Sequence, residues 1–266
     1  MADIHATAMI APGARIAADV SIGPYCCVGP QVQLEAGVTL SAHVVVDGRT
    51  TIGAHTTVYP FASIGLAPQH LGFKGESSEL TIGRHNVIRE HVTINPGTAD
   101  GSMATRIGDH GFFMVGAHVA HDCRVGDHVI MANNATLGGH VELGDHVVIG
   151  GLSAVHQYVR IGRQAMVGGM SGVVQDVIPF GMAVGNRARL TGLNLVGLKR
   201  RGMARADIHA LRVAYRQIFE GEGPMAERLE RVVMTLGDSP SVTELVGFIR
   251  DASPRSLCRP NVRDAA

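Results

Sequence analysis

The sequence of 266 residues contains no tryptophan, and aromatic residues make up only 4% of it. An ordinary mixed core would use more rings, so the interior is expected to be filled mainly by aliphatic side chains. The charges balance at 23 basic and 23 acidic residues, so bulk electrostatics gives no reason to expect a nucleic-acid partner.

Export and membrane signals are missing as well. The start, MADIHATAMIAPGARIAADV, has no basic segment followed by an apolar run. No apolar run approaches the roughly 18 residues that suggest a membrane helix. The four cysteines, at positions 26, 27, 123 and 258, show no CxxC spacing. We therefore expect a cytoplasmic protein with free thiols and no integral membrane segment.

Aliphatic residues recur at every sixth position. The series runs from Ile4 to Ile64, resumes from Ile82 to Ile94, and continues from Ile107 to Val173, and none of its 26 positions is polar. A period of six fits neither an α-helix nor a simple alternating strand. It fits a triangular solenoid in which each face uses one hexad and successive coils stack as parallel strands about 4.8 Å apart.

We therefore predict a parallel β-helix of about ten coils over residues 1–186 and a small helical domain over residues 187–266. The period fails over residues 65–81 and 95–106, and both segments are expected to leave the prism as loops. Helical spacing begins at Arg205, and further amphipathic stretches lie around residues 224–236 and 241–251.

The chain has 14 histidines, and their position in the hexad divides them. Eight lie three residues after the inward aliphatic residue, where Gly, Asn and Asp also recur: His43, His55, His85, His91, His110, His128, His140 and His146. These residue types tolerate a positive φ, so this position is predicted to form the corners of the triangle. A structural role is the simplest interpretation of each of the eight.

His118, His121 and His156 lie at other hexad positions, so the corner explanation does not apply to them. The spacing predicts a column of His121, His140 and His156 on one face, with His118 at the preceding corner. Imidazole suits proton transfer because its ordinary pKa lies near 6.5. Three histidines could also bind zinc, but the His-x4-His pair of the γ-class carbonic anhydrases, which share this repeat, is missing from the sequence. A catalytic site without metal is favoured over a metal-dependent hydratase.

Several motifs follow one another along the chain: PQHLGFKGE, AHVAHDC, ANNATLGGH, AVHQ, VGGMSGV and GNRARLTGLNLVGLKRRG. With the hexads and the helical tail, they make nearly the whole chain resemble the bacterial UDP-N-acetylglucosamine acyltransferases that begin lipid A (lipopolysaccharide) synthesis. The resemblance implies a left-handed β-helix and a homotrimer with active sites between subunits. It also implies transfer of a 3-hydroxyacyl chain from acyl carrier protein to the sugar 3-hydroxyl. No cofactor is implied besides the phosphopantetheine that carries the acyl group.

The resemblance also assigns roles to individual residues. His121 would be the general base, Asp122 its acidic partner, and the backbone amide of Gly139 the donor that stabilises the oxyanion. The residues implied to bind substrate are His70, Lys74, His118, His140, His156, Gln157, Asn194, Arg200 and Arg201. The basic residues around Lys199–Arg201 would suit an acidic acyl carrier protein.

Gly169 matches the position that limits acyl length in this family. A glycine leaves the groove open, which predicts a long chain of about the hydroxymyristoyl class, while Met166 and Met170 could narrow it.

The first loop departs from the family pattern. The family usually has Gln-Asp-Leu-Lys, whereas this chain has His70 and Gly72 at the positions of the acid and the lysine, with Lys74 nearby. Because the acid normally contacts the acceptor sugar near its reacting position, a 3-amino sugar that would yield an amide stays open as an alternative acceptor. A non-catalytic β-helix scaffold is the alternative from a different functional class.

Overall fold

The computed structural model describes residues 1–261. Most strands have only two residues, because each face of the prism is one hexad wide. The strands before the first loop are β1 (Asp3–Ile4), β2 (Met9–Ile10), β3 (Arg15–Ile16), β4 (Ser21–Ile22), β5 (Cys27–Val28), β6 (Gln33–Leu34), β7 (Thr39–Leu40), β8 (Val45–Val46), β9 (Arg49–Ile52), β10 (Thr57–Val58) and β11 (Ser63–Ile64). Between the loops lie β12 (Glu79–Ile82), β13 (Val87–Ile88) and β14 (Thr93–Ile94).

The strands after the second loop complete the stack. They are β15 (Ala104–Ile107), β16 (Phe112–Phe113), β17 (His118–Val119), β18 (Arg124–Val125), β19 (Ile130–Met131), β20 (Thr136–Leu137), β21 (Glu142–Leu143), β22 (Val148–Ile149), β23 (Ala154–Val155), β24 (Arg160–Ile161), β25 (Met166–Val167), β26 (Gly172–Val173), β27 (Gly181–Val184) and β28 (Arg189–Leu193).

Every third strand up to β26 belongs to the same sheet. Sheet A contains β1, β4 and each third strand to β25, followed by β27 and β28; sheet B runs from β2 to β26, and sheet C from β3 to β24. Within residues 1–261 the strand pairs are parallel, apart from the antiparallel pair β27–β28. The predicted fold class, a left-handed parallel β-helix with a small helical region, is confirmed.

The aliphatic series lines the interior. Of its 26 positions, Ile4, Ile10 and Ile16 in the first coil are partly exposed, and all those from Ile22 to Val173 are buried. The first coil has no coil beneath it, which leaves Ile4 41% exposed. Each later inward side chain contacts its counterparts in the neighbouring coils, so the stack forms one continuous apolar core.

The corner prediction is confirmed. All eight corner histidines have φ between 56° and 62°. Bulkier residues that the sequence pattern did not single out, such as Tyr25, Leu152 and Tyr158, share this conformation. Side chains at equivalent corners stack from coil to coil; the longest column, with ring centroids 4.6–5.0 Å apart, contains His55, His85, His110, His128 and His146. This stacking helps to offset the strain of a positive φ.

Both predicted loops leave the prism, but each ends three residues earlier than predicted. Loop 1 covers residues 65–78 and loop 2 covers residues 95–103, because β12 begins at Glu79 and β15 at Ala104. Strands β9, β12 and β15 have four residues and pair in register, which buries Leu80 and Thr105. The last three residues of each segment in which the hexad pattern fails therefore belong to a strand.

The helical region begins at α1 (Leu195–Arg200), which the sequence pattern did not predict. The helices α2 (Arg205–Phe219), α3 (Met225–Leu236) and α4 (Pro240–Arg250) agree with the predicted amphipathic stretches. The predicted domain boundary at residue 186 falls between β27 and β28. Strand β28 lies after this boundary, but it pairs with β27 and belongs to sheet A. Within residues 1–261, none of the helices combines the length and apolarity that a membrane crossing needs.

Candidate active site

His121 lies in the turn from β17 of sheet B to β18 of sheet C, two residues after the buried Val119. Its Nδ1 lies 2.9 Å from Oδ2 of Asp122, the corner residue, whose φ is 59°. An ionised carboxylate can only accept, so Nδ1 of the neutral ring carries the proton and Nε2 keeps the basic lone pair. The pair has the arrangement of a general base with its orienting acid.

Loop 2 holds Asp122 in place. Thr98 donates to Oδ2 through its backbone N–H at 3.0 Å and its Oγ1 at 2.7 Å, and the backbone N–H of Ser102 donates to Oδ1 at 2.8 Å. Burial acts to raise the pKa of Asp122, but the hydrogen bonds from Thr98 and His121 outweigh it and hold this pKa below its ordinary value. The carboxylate therefore stays ionised beside the imidazole.

Thr98 and Ser102 were not predicted from the sequence. Loop 2 was predicted as a break in the hexad pattern, but no local feature connects it to Asp122, which lies 20 or more residues further along the chain. The available signal was the hydroxyl-rich composition of NPGTADGSMATR, inserted one coil before the AHVAHDC motif.

Two further imidazoles flank His121. The His140 ring lies 5.1 Å from the His121 ring and the His70 ring 4.9 Å, both measured between centroids and both edge to face. Burial lowers the pKa of His140 despite the nearby negative charge of Asp122, which favours the neutral ring. The structure thus brings His70 of loop 1 to the corner that holds His121 and Asp122, whereas Lys74 is exposed further along the same loop.

His118 lies within β17, on the outer face of sheet B, and not at a corner as the spacing predicted. Its Nδ1 is 2.6 Å from Oγ1 of Thr93 in the preceding coil. Burial, and secondly the charge of a protonated His121, lower the pKa of His118. The residue occupies sheet B immediately before the turn that holds His121, so it is placed to contact a molecule bound there.

The predicted column of three histidines is only partly formed. His121 and His140 are adjacent, but His156 lies on the next coil after His140 and is exposed. Its ring contacts Arg255, whose Nη2 is 2.8 Å from Nδ1 of His156. Gln157, also exposed, accepts a hydrogen bond from Arg255 through its backbone carbonyl.

Gly139 lies one coil above His121, at the same position in its turn. A Cβ at this position would come within 2.5 Å of Cε1 and 2.6 Å of Nε2 of the His121 ring. The carbonyl of Gly139 accepts from Tyr158, but its N–H takes part in none of the hydrogen bonds formed within residues 1–261. A free backbone donor therefore lies beside the basic nitrogen.

Three of the residues implied to bind substrate lie at a different corner, between sheets C and A. Asn194 caps the N-terminus of α1, where Oδ1 accepts from the N–H of Gly197 at 3.1 Å and Nδ2 donates to the carbonyl of Gln164 at 3.0 Å. These contacts give Asn194 a structural role. Arg201 donates from Nη2 to the carbonyl of His146, and Arg200 is exposed at the end of α1. One chain does not bring these three residues to His121.

Two of the three residues expected to limit the acyl chain, Gly169 and Met170, occupy the corner between sheets A and B. Met170 is 74% exposed there, next to Gly169, while Met166 lies in β25. Leu152, one coil earlier at the same corner, is 62% exposed and was missed, because its sequence context is that of an ordinary corner. Strand β26 lies three rungs above β17 in sheet B, a rise of roughly 14 Å.

One group within residues 1–261 has donors close enough for a cation: His121, Asp122 and His140, with ligand atoms within 4.8 Å of one another. However, Asp122 already accepts five hydrogen bonds from Thr98, Ser102 and His121. A metal would have to replace those N–H and O–H donors, so the surroundings of the carboxylate favour proton transfer over metal binding.

A left-handed β-helix of hexads with an imidazole–carboxylate pair at one corner defines a hexapeptide-repeat acyltransferase. Residues 176–258 match the family model described as Udp N-acetylglucosamine O-acyltransferase, domain 2. The chain is 57% identical to the acyl-[acyl-carrier-protein]–UDP-N-acetylglucosamine O-acyltransferase of Azorhizobium caulinodans, over 97% of this chain and 95% of that protein. The corresponding protein of Caulobacter vibrioides is 56% identical, over 97% and 98%. The chain belongs to the UDP-N-acetylglucosamine O-acyltransferase family.

Solved structures agree with this assignment. LpxA from Acinetobacter baumannii superimposes with a TM-score of 0.93 at 43% identity, covering 96% of this chain and 99% of that one. The UDP-N-acetylglucosamine acyltransferase from Campylobacter jejuni gives a TM-score of 0.91 at 38% identity, covering 97% and 100%. The predicted family and the predicted acyltransferase class are confirmed.

Proposed function

We propose that this protein transfers a 3-hydroxyacyl chain from acyl carrier protein to the 3-hydroxyl of UDP-N-acetylglucosamine, as the first step of lipid A synthesis. The observation that carries the proposal is the His121–Asp122 pair beside the free amide of Gly139. The names of the relatives, which specify this donor and this acceptor, support it. All four cysteines are free thiols, which fits the reducing cytoplasm in which we place the reaction.

In the proposed reaction, Nε2 of His121 takes the proton from the acceptor hydroxyl as its oxygen attacks the thioester carbonyl. Asp122 stabilises the imidazolium that forms, and the Gly139 N–H donates to the oxyanion of the tetrahedral intermediate. Collapse of the intermediate breaks the carbon–sulfur bond, and the departing thiolate of phosphopantetheine takes the proton from His121. The protein groups return to their initial state, and no step needs a metal or a further cofactor.

We further propose a homotrimer, because one chain divides the expected site between two corners of its triangle. His121 lies between sheets B and C, while Arg201 lies between sheets C and A. In a ring of three copies, the second corner of one subunit can face the first corner of its neighbour. Nη1 of Arg201 is buried without a hydrogen-bond partner among the described residues, which suits a bound anion such as the diphosphate of the sugar nucleotide.

A groove of about 610 Å³ beside α1 and α2 supports acyl carrier protein as the protein that delivers the acyl chain. Its lining side chains are all basic or apolar: Lys199, Met203, Arg205, Ile208, His209 and Arg212. Acyl carrier proteins are acidic, so such a surface would attract and orient them. Replacing Arg205 and Arg212 by Ser should raise the KM for acyl carrier protein, and should weaken the salt dependence of turnover.

The corner that contains Gly169 supports a long acyl chain. Gly169 and Gly151 leave the surface open, and the exposed side chains of Leu152 and Met170 offer apolar contact. The residues that face outward from sheet B between His118 and this corner include Thr136 and Ala154. Their small side chains would let an extended chain lie along the sheet.

A 3-amino sugar is a second acceptor, and it is favoured by one observation: His70 lies at the catalytic corner. An ammonium group must lose a proton before it can attack and a second one when the amide forms, and a second imidazole could take one of them. The relatives are named as O-acyltransferases, so the hydroxyl sugar remains the primary proposal.

One experiment tests the acceptor and the donor together. The purified protein is offered acyl carrier proteins of several chain lengths with either acceptor sugar, and the products are identified by mass spectrometry. We expect an ester of UDP-N-acetylglucosamine; an amide formed in strong preference would replace this proposal with the amino sugar.

A matched pair of variants identifies the base. His121→Asn should reduce turnover by at least about 100-fold, whereas His43→Asn, at an exposed corner between sheets A and B several coils before His121, should leave turnover unchanged. Equal activity of both variants would point to a non-catalytic scaffold. Hydration of carbon dioxide together with a stoichiometric metal would instead indicate the hydratase.

A further inference from the structure

After α4, residues 251–261 form a C-terminal tail that packs against the β-helix. In this tail, the N–H of Asp176 donates to the carbonyl of Ser256 at 2.9 Å, and the N–H of Cys258 donates to the carbonyl of Asp176 at 2.8 Å. Nε2 of Gln175 donates to Oγ of Ser256 at 2.9 Å, and Cys258 is completely buried. The tail therefore has a defined position near the end of the stack, three coils after the corner that holds Asp122.

Arg255 extends from this tail to two residues expected to bind substrate. Its Nη2 lies 2.8 Å from Nδ1 of His156, and its Nε donates to the carbonyl of Gln157 at 2.9 Å. The residues joined by these two contacts are 99 and 98 positions apart in the sequence. Arg255 is half-buried, so the guanidinium is held by these contacts and does not extend freely into solvent.

The chemistry of the guanidinium fixes the state of the ring. Arginine remains protonated in proteins and can only donate, so Nδ1 of His156 has to accept, and the proton of the neutral ring is on Nε2. The alternative, donation from Nδ1–H to the carbonyl of Gln157, has a longer distance of 3.2 Å. Arg255 already uses both of those atoms, and its hydrogen bond is assisted by charge.

We infer that Arg255 is a positioning residue that holds His156 as a neutral ring with an Nε2–H donor directed at an oxygen of the substrate. The inference rests on the proposed function only in taking His156 to contact substrate. The oxygen belongs to a phosphate, a carbonyl or a hydroxyl group, all of which the proposed substrates offer as acceptors to an N–H donor. The C-terminal tail thereby becomes part of the substrate site.

The state of the ring can be measured without any activity. The full-length protein is labelled with ¹⁵N-histidine, the His156 signals are assigned with His156→Asn, and the ring nitrogen shifts are recorded at pH 8. We expect a protonated Nε2 and an unprotonated Nδ1 in the natural sequence. Arg255→Met, which keeps much of the side-chain length without the charge, should give a mixture of the two tautomers. A proton on Nδ1 in the natural sequence, or an unchanged spectrum in Arg255→Met, would overturn the inference.

Kinetics then links the ring to the reaction. Arg255→Met should lower kcat/KM by roughly 10- to 100-fold, the usual effect of losing a charge-assisted hydrogen bond. The same substitution made in a His156→Asn background should have almost no further effect, and an undiminished effect there would contradict the inference. Arg250→Met, which removes an exposed arginine paired with Glu230 on the neighbouring helix, serves as the control and should leave kcat/KM unchanged. If the natural sequence acylates neither sugar, the proposed function fails while the tautomer measurement still stands.

Discussion

His121 covers Gly139 so closely that a methyl group added to the glycine would lie 2.5 Å from Cε1 of the ring. The basic nitrogen Nε2 would lie 2.6 Å from that methyl carbon, so the ring occupies the space that a side chain at position 139 would need. A reacting carbonyl carbon held between Nε2 and the free backbone N–H would have its nucleophile activated on one side and its oxygen stabilised on the other. The absence of a Cβ at position 139 is what permits this closeness.

Gly139→Ala should therefore displace the imidazole and lower kcat by about 100-fold, while leaving the KM for the sugar nucleotide within a few-fold. Steady-state kinetics for both substrates measures this split. Gly247→Ala is the matched control, because a Cβ there meets no atom within 4 Å. Full activity of Gly139→Ala would show that the ring and the amide act independently.

Thr98→Val should weaken the proposed catalytic pair through Asp122. Loss of the Oγ1 hydrogen bond removes an interaction that lowers the carboxyl pKa, so the acidic limb of the kcat/KM profile should move to higher pH. The buried acceptor also loses a partner, which should cost about 1–2 kcal/mol of unfolding free energy. Urea unfolding and a pH–rate profile measure the two effects.

Thr105→Val is the control for Thr98→Val. Thr105 is also completely buried, but its Oγ1 has no hydrogen-bond partner among the described residues. Its removal should leave both stability and the pH profile nearly unchanged, and an equal loss in the two variants would contradict the role given to Thr98.

Stability should fall as the pH drops below about 6.5, the ordinary value for histidine. Burial lowers the pKa of His118 and of His140 in the folded chain, so the unfolded chain binds protons first. The contribution of these two neutral rings to the free energy of unfolding is fully present above the ordinary histidine pKa. It decreases as the pH falls from that value towards the lower pKa values of the folded chain. His140→Asn, which tolerates the positive φ of that corner, should make the decline shallower in urea midpoints measured from pH 8 to 5. An unchanged slope would show that burial of this ring does not contribute.

Gly169→Leu should shorten the preferred acyl chain. The added side chain would start 3.3 Å from the carbonyl oxygen of Gly151 and would occupy the corner beside Met170. Competition between carrier proteins loaded with different chain lengths, analysed by product mass, gives the preference. An unaltered length profile would place the end of the groove elsewhere on sheet B.

The sequence predicted the parts of the molecule that repeat. The hexad series specified the buried faces, and the histidines and glycines three residues later specified the corners. Bulky corner residues such as Tyr25 and Tyr158 were missed, because their backbone strain is offset by stacking against neighbouring coils, which a local pattern does not contain. The loop ends were predicted too late for a related reason: pairing in register across β9, β12 and β15 depends on strands far apart in sequence.

The candidate site divides in the same way. His121, Asp122 and Gly139 lie within 18 residues and could be found from motifs, whereas their support comes from Thr98 in a loop and Arg255 in the tail. Neither supporting residue belongs to a hexad, so their roles depend on how the loop and the tail fold against the stack. His118 was predicted at a corner because it is the last residue of its hexad. In the structure, strand β17 begins at this residue.

The stacking of identical coils also determines how the distance from the base to the open corner at Gly169 can change. Inserting or removing one whole coil would alter it by one rung, about 4.8 Å, without disturbing the apolar core. Changing a side chain at the corner alters it by only one or two carbon atoms. A protein built in this way has a coarse and a fine adjustment for substrate size, and the two can evolve separately.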